Sequence, residues 1–210
     1  MKGFELFRLC SDERWPEARK YVSSANIMYR HDDHGQTCFL LACIRGAPDD
    51  TIKTMLDSGG KELVMMTMTD DGDDTVLHVV CYSGASYNII KMLIEVGGKD
   101  LVMAKNKNGT TALHLLCRFI KEHNDAYDKI KLFLQAGDAN LLLSANKDHA
   151  GETLLEIATG NGASKKIKEL LKVQSTSPIA DIMKVDLIEL CDDNQYKRAS
   201  IEELEIRVKP

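Results

Sequence analysis

No stretch of this 210-residue chain approaches the roughly 18 consecutive apolar residues that cross a bilayer, so no helical membrane span is expected. The N-terminal segment interrupts its apolar side chains with Glu5 and Arg8 and lacks the unbroken apolar centre of a secretory signal. Basic residues are not in excess either: Lys and Arg number 27 against 32 Asp and Glu, a net charge of -5. Binding along nucleic-acid phosphates draws on clustered Lys and Arg that displace counterions, so no nucleic-acid partner is expected. A phosphate-cradling glycine loop is missing as well. Gly97-Gly98 is not followed by a Lys-Ser or Lys-Thr pair, and Gly160-Asn161-Gly162 reads as a helix end. Disorder is excluded by 44% hydrophobic and 28% charged residues, ordinary values for a folded chain. These absences lead to the expectation of a soluble protein of the cytoplasm or nucleus.

What the chain does contain is one phrase written four times. Gln36-Thr37-Cys38-Phe39-Leu40-Leu41-Ala42-Cys43 is followed by Asp74-Thr75-Val76-Leu77-His78-Val79-Val80-Cys81, Thr110-Thr111-Ala112-Leu113-His114-Leu115-Leu116-Cys117 and Glu152-Thr153-Leu154-Leu155-Glu156-Ile157-Ala158-Thr159. Gly35, Gly72, Gly109 and Gly151 precede the phrases at intervals of 37, 37 and 42 residues. Each Thr is placed to cap a helix that ends near Gly46, Gly84 or Gly162 in three of the four units. A second helix follows, with apolar residues at i, i+3, i+4 spacing: Ile52, Met55, Leu56; Ile89, Ile90, Leu93, Ile94; Ile130, Phe133, Leu134; Ile167, Leu170, Leu171. Gly59-Gly60, Gly97-Gly98 and Gly137 are expected to end these helices. Six cysteines make an even count, but Cys43, Cys81 and Cys117 occupy equivalent positions. They read as small buried side chains in a reducing compartment rather than as a disulfide framework.

Helix, turn, helix and extended connection, with Thr-x-Leu-His opening the first helix, resembles the ankyrin repeat. Thr75-Val76-Leu77-His78 and Thr111-Ala112-Leu113-His114 carry the likeness most closely. The resemblance covers about residues 33–174, four repeats, and implies an all-α ankyrin-type solenoid of stacked helix-turn-helix units with long finger-like connections. It gives His78 and His114 a structural role, tying adjacent units through backbone bonds. Residues 1–32 read as an atypical N-terminal capping unit, with Pro16 in the first turn of its second helix. Residues 175–210 lack the phrase and read as a helical C-terminal extension that either caps the array or docks elsewhere. The chain departs from the pattern in three ways. The consensus Pro is replaced by Cys38, Val76, Ala112 and Leu154, and the His by Leu40 and Glu156. The periods exceed the roughly 33 residues of an ankyrin repeat. The excess is assigned to the connections, with their apolar runs Leu63-Val64-Met65-Met66, Leu101-Val102-Met103 and Leu141-Leu142-Leu143, and to a polar insertion from Lys121 to Lys129.

Constellations with catalytic or metal-binding flavour give way to structural readings. His78-x-x-Cys81 and His114-x-x-Cys117 suggest zinc, but side-by-side helices sit about 8–10 Å apart and zinc ligands lie about 2 Å from the ion. A nucleophilic cysteine needs a converging base and a lowered thiol pKa, whereas these cysteines lie on packed helices. Asp70-Asp71-Gly72-Asp73-Asp74 lacks the spaced ligands of a calcium loop. Ser200, after Lys197-Arg198, suits a phosphorylation site or a helix cap. No metal, cofactor or small-molecule substrate is expected.

The positive expectation is a binding face. In ankyrin-like stacks the first helices line a groove and the connections project as fingers. The residues before each closing Gly are the freest to vary: Ile44 and Arg45, Tyr82 and Ser83, Arg118 and Phe119, Gly160 and Asn161. Tyr, Phe and Arg are enriched at interface hot spots. Finger tips would add Met66, Met68, Asp70, Asp71, Lys105, Lys107 and Asn108, with Tyr29, His31 and His149. The early fingers are acidic and the later ones basic. The resulting expectation is a non-catalytic module, monomeric when free, that holds a protein or peptide partner. The alternatives are a subunit locked into a larger assembly and a repeat-based enzyme, which would need a closed pocket.

Overall fold

The computed structural model describes residues 2–31, 35–68, 72–138, 141 and 152–173. Ten α-helices among them form five successive pairs: α1 (Lys2–Ser11) with α2 (Trp15–Tyr21), α3 (Cys38–Ile44) with α4 (Asp49–Met65), α5 (Val76–Ser83) with α6 (Tyr87–Met103), α7 (Ala112–Arg118) with α8 (Ala126–Ala136), and α9 (Leu154–Gly160) with α10 (Lys165–Val173). First helices pack on first helices, α1 through α9, and second helices on second helices, α2 through α10, giving two layers with the core between them. No strand occurs among the described residues. Isolated antiparallel bridges at Arg30–Thr37, Thr67–Thr75 and Lys105–Thr111 close the bases of three fingers.

The repeated Thr starts each first helix because its hydroxyl satisfies a backbone N–H that the helix leaves unpaired. Thr37 accepts from Leu40 N–H at 3.1 Å, and Thr75, Thr111 and Thr153 each form a reciprocal capping box with the residue three positions on. The apolar stripes of all four second helices are buried, as their spacing requires.

The Gly-Gly pairs do not end their helices. Gly59 and Gly97 stay helical, where a side chain would strike Leu63 and Leu101 at 2.7 and 2.5 Å. Gly60 (φ 55°, ψ -151°) and Gly98 (φ 62°, ψ -156°) make a kink in a region open essentially to glycine alone. Helix then resumes to Met65 and Met103. The apolar runs assigned to connections thereby become an extra core turn, with Leu63, Val64, Leu101 and Val102 buried. Much of the excess over a shorter repeat is hydrophobic packing rather than finger.

The insertion of the fourth pair is also less polar than its sequence suggests. It forms a 3-10 turn, Ile120–Glu122, and buries Ile120, His123, Ala126 and Lys129.

Candidate partner-binding face

The ends of the first helices carry two of the large apolar residues that the stack leaves uncovered, the others being Phe4 in α1 and Tyr21 at the end of α2. Ile44 is 40% exposed and Tyr82 58% exposed. Phe119, one helix further along, is half-buried and meets Tyr82 edge-to-face, ring centroids 4.8 Å apart and planes at 89°. This arrangement sets the positive edge of one ring against the negative face of the other and fixes both. Ser83 is exposed beside Tyr82, and Arg118 is exposed in the last turn of α7. Arg45 closes α3 and is held by Glu13 at 3.0 Å.

The finger residues divide differently. Met66 and Met68 sit half-buried at the root of their finger and pack against the core, not at a tip, because the resumed helix carries the chain inward as far as Met65. Asp70, Asp71 and His149 lie outside the described residues, as do residues 175–210, Ser200 among them. Lys105 and Asn108 are exposed, and Lys107 reaches Asp73 at 3.7 Å while its N–H donates to the Gly72 carbonyl at 3.0 Å. Asn106 donates to Asp74 at 2.8 Å, and Arg30 donates to the Thr67 carbonyl at 2.6 Å. Neighbouring fingers are thus tied together, and part of the acidic-to-basic gradient is neutralised between them.

Both repeated histidines cap their helices, and His78 also braces the stack. Thr75 N–H donates to His78 Nδ1 at 3.3 Å, which leaves the ring proton on Nε2 to donate to the Thr110 carbonyl of the next unit at 3.0 Å. His114 repeats the cap, with Thr111 N–H at 3.2 Å from Nδ1. Burial pushes the His78 pKa down, against the smaller effects of the Thr110 bond and Asp74. Glu156 replaces the histidine with a carboxylate that accepts from Thr153 N–H at 2.8 Å; this bond holds its pKa below the usual value.

The chemical capacity of the described surface is low. Cys10, Cys38, Cys43, Cys81 and Cys117 are buried free thiols. Burial pushes Cys117 up to about 12 and Cys43 and Cys81 higher still, which makes them poor nucleophiles. Among the described residues no group of His, Cys, Asp or Glu could hold a metal ion. An open depression of about 570 Å³ along α6 and α8 is lined by Tyr87, Asp125, Asp128, Lys131, Leu132 and Gln135.

One cluster was not anticipated from the sequence. Lys129 is 1% exposed, pairs with Asp125, and donates to the Ala85 carbonyl at 2.6 Å and to His123 Nδ1 at 2.9 Å. His123 Nε2 donates to the Cys81 carbonyl at 2.8 Å, and Asp125 accepts from Tyr87 N–H at 3.1 Å. The signal was present: Lys129 lies three residues after Ala126 and four before Phe133, within the apolar stripe of α8.

A family model described as Ankyrin repeats (3 copies) matches residues 39–141 and 77–183, well over half of the chain. The chain belongs to the ankyrin repeat family. Ankyrin repeats generally mediate protein–protein interactions and are typically non-catalytic. No protein of curated function matches the chain. Among the described residues no helix of this ankyrin array is long and apolar enough to cross a membrane.

Proposed function

We propose that this ankyrin array is a non-catalytic binding module that holds a protein or extended peptide across the first-helix ends, with Ile44, Tyr82 and Phe119 as the contact ridge. Arg45, Ser83 and Arg118 flank the ridge, and Lys105, Lys107 and Asn108 extend it along the fingers. The observation that carries the reading is the edge-to-face pairing of the exposed Tyr82 with the half-buried Phe119. An aromatic ring already fixed by a neighbour loses little conformational entropy when a partner covers it, which suits it to anchor a contact. A permanently locked subunit is less well supported at two of the apolar runs, where Leu63, Val64, Leu101 and Val102 are covered within the chain itself.

Replacing Arg45, Tyr82, Arg118 and Phe119 together with Ala is expected to abolish capture of crosslinked partners while leaving the helical circular dichroism unchanged. Tyr82→Ala alone should weaken the same partner by ~30-fold, the scale of an interface hot spot of about 2 kcal/mol. Equal affinity of the fourfold variant for the same partners would place the binding face elsewhere.

A further inference from the structure

We infer that His123 is a positioning residue for the Tyr82–Phe119 pair, and that its protonation in mildly acid solution releases that pair, making the ridge acid-sensitive. The inference rests on the reading of this pair as the contact ridge for its biological meaning, but the geometry it invokes is that of the free protein.

The segment between α7 and α8 touches α5 on both sides of Tyr82. Upstream of Tyr82, the Cys81 carbonyl accepts from His123 Nε2 at 2.8 Å. Downstream, Gly84 lies so close to the Glu122 carbonyl that a β-carbon would sit 3.2 Å from it. Phe119 is the residue from which the 3-10 turn starts, and its own carbonyl accepts from Glu122 N–H at 2.9 Å. The two rings therefore stand at opposite ends of one short bonded circuit, Tyr82–Cys81–His123–Glu122–Phe119.

The Nε2 bond of that circuit needs only a donor, but the seat of the His123 ring at its other nitrogen requires the neutral form. Its Nδ1 accepts from the Lys129 ammonium at 2.9 Å, and Lys129 is anchored in turn by Asp125 and by the Ala85 carbonyl at 2.6 Å. A proton on Nδ1 would set an N–H against an ammonium, two donors and two positive charges with no acceptor between them. The groups facing the ring are Lys129 and Asp125 from the insertion and α8, Glu122 from the 3-10 turn and the Cys81 carbonyl from α5; the Cys81 thiol itself feels Lys129 and Cys117 of α7. Burial holds the His123 pKa below its ordinary value and Lys129 adds to this, outweighing the Cys81 carbonyl, Asp125 and Glu122, which favour the charged form. Asp125 is already engaged by Lys129 and by Tyr87 N–H.

The test is an NMR titration of the full chain from about pH 8 to pH 5, following the His123 imidazole and the ring protons of Tyr82 and Phe119. The expected result is one shared midpoint below the ordinary histidine value of about 6.5, with loss of the Tyr82–Phe119 cross-peaks and retention of the α1–α4 amide pattern. His123→Gln keeps one donor and one acceptor without titrating, and should hold the rings together at both extremes. Should that variant not fold, Lys129→Met serves instead: with the ammonium gone the His123 midpoint should move upward, and protonation should no longer part the rings. In the unsubstituted chain, rings that stay in contact while His123 titrates would overturn the inference, as would loss of all helical signals in the same step. No partner is needed for any of these readouts, so a wrong binding face and a wrong positioning role give separable results.

Discussion

Gly84 is confined to glycine from two directions. Its φ of +78° is one that side chains rarely adopt, and a β-carbon there would press on the Glu122 carbonyl at 3.2 Å. Gly46 shares the backbone conformation at +66° but has open space around it. Gly46→Ala should therefore lower the unfolding free energy by ~1 kcal/mol from backbone strain alone, and Gly84→Ala by a further ~1 kcal/mol or more from displacing the carbonyl. Urea unfolding of the two variants checks the order. Lys129 gives a larger contrast at the same scale. Lys129→Ala removes a 1% exposed cation and strands Asp125, the Ala85 carbonyl and His123 Nδ1 together. A loss of ~3 kcal/mol or more is expected, as when one partner of a buried pair is deleted, against a change within about 0.5 kcal/mol for the exposed Lys53→Ala.

At the scale of the element, the Thr-x-x-His phrase makes the starts of α5 and α7 depend on a neutral imidazole. His78 caps α5 through one nitrogen and reaches the next unit through the other, so its acid and base forms are not equivalent in the fold. In the unfolded chain, imidazoles take up protons as pH falls through about 6.5. In the fold, burial lowers the pKa of His78 and of His123, so both stay neutral to lower pH. Across that window the unfolded state binds more protons, so stability is flat with respect to these groups above it and falls as pH drops through it. The urea midpoint is expected to be lower at pH 5.5 than at pH 7.5, and the difference should shrink in His78→Gln. These helix starts were legible in the sequence because a cap needs only a hydroxyl and a spacing, and the second helices because their stripes repeat at i, i+3, i+4. The kinks at Gly60 and Gly98 were not legible. A Gly-Gly pair reads as a stop unless one knows that the first glycine must make room for a leucine four residues on. The insertion misled for a related reason: His123 and Lys129 read as surface until Cys81 and Ala85, 42 and 44 residues away in sequence, supply their acceptors.

Across the whole molecule, the second-helix layer carries two kinds of link between units, and they should differ sharply in consequence. On its surface, Lys61 meets Asp100 at 2.5 Å and Lys99 meets Asp138 at 2.7 Å, one unit to the next. Beneath them, Leu101 and Val102 pack in the extra turn of α6 with no exposure. Exposed pairs hold two flexible side chains in a screening solvent and contribute little, so Lys61→Met with Lys99→Met should leave the urea midpoint unchanged. Leu101→Ala removes buried contacts and leaves a cavity, for an expected loss of ~2–5 kcal/mol. Where that loss is felt tests the architecture. Each unit of a stack touches its neighbours and little else, so stability is a sum of unit and interface contributions. Amide hydrogen exchange in Leu101→Ala is therefore expected to quicken most in α6 and in α4 and α8, which pack against it, while α1 changes least. Equal acceleration from α1 to α10 would mean that the array opens only as one unit, and that the extra turn fuses the pairs into a single cooperative core rather than a chain of nearest neighbours.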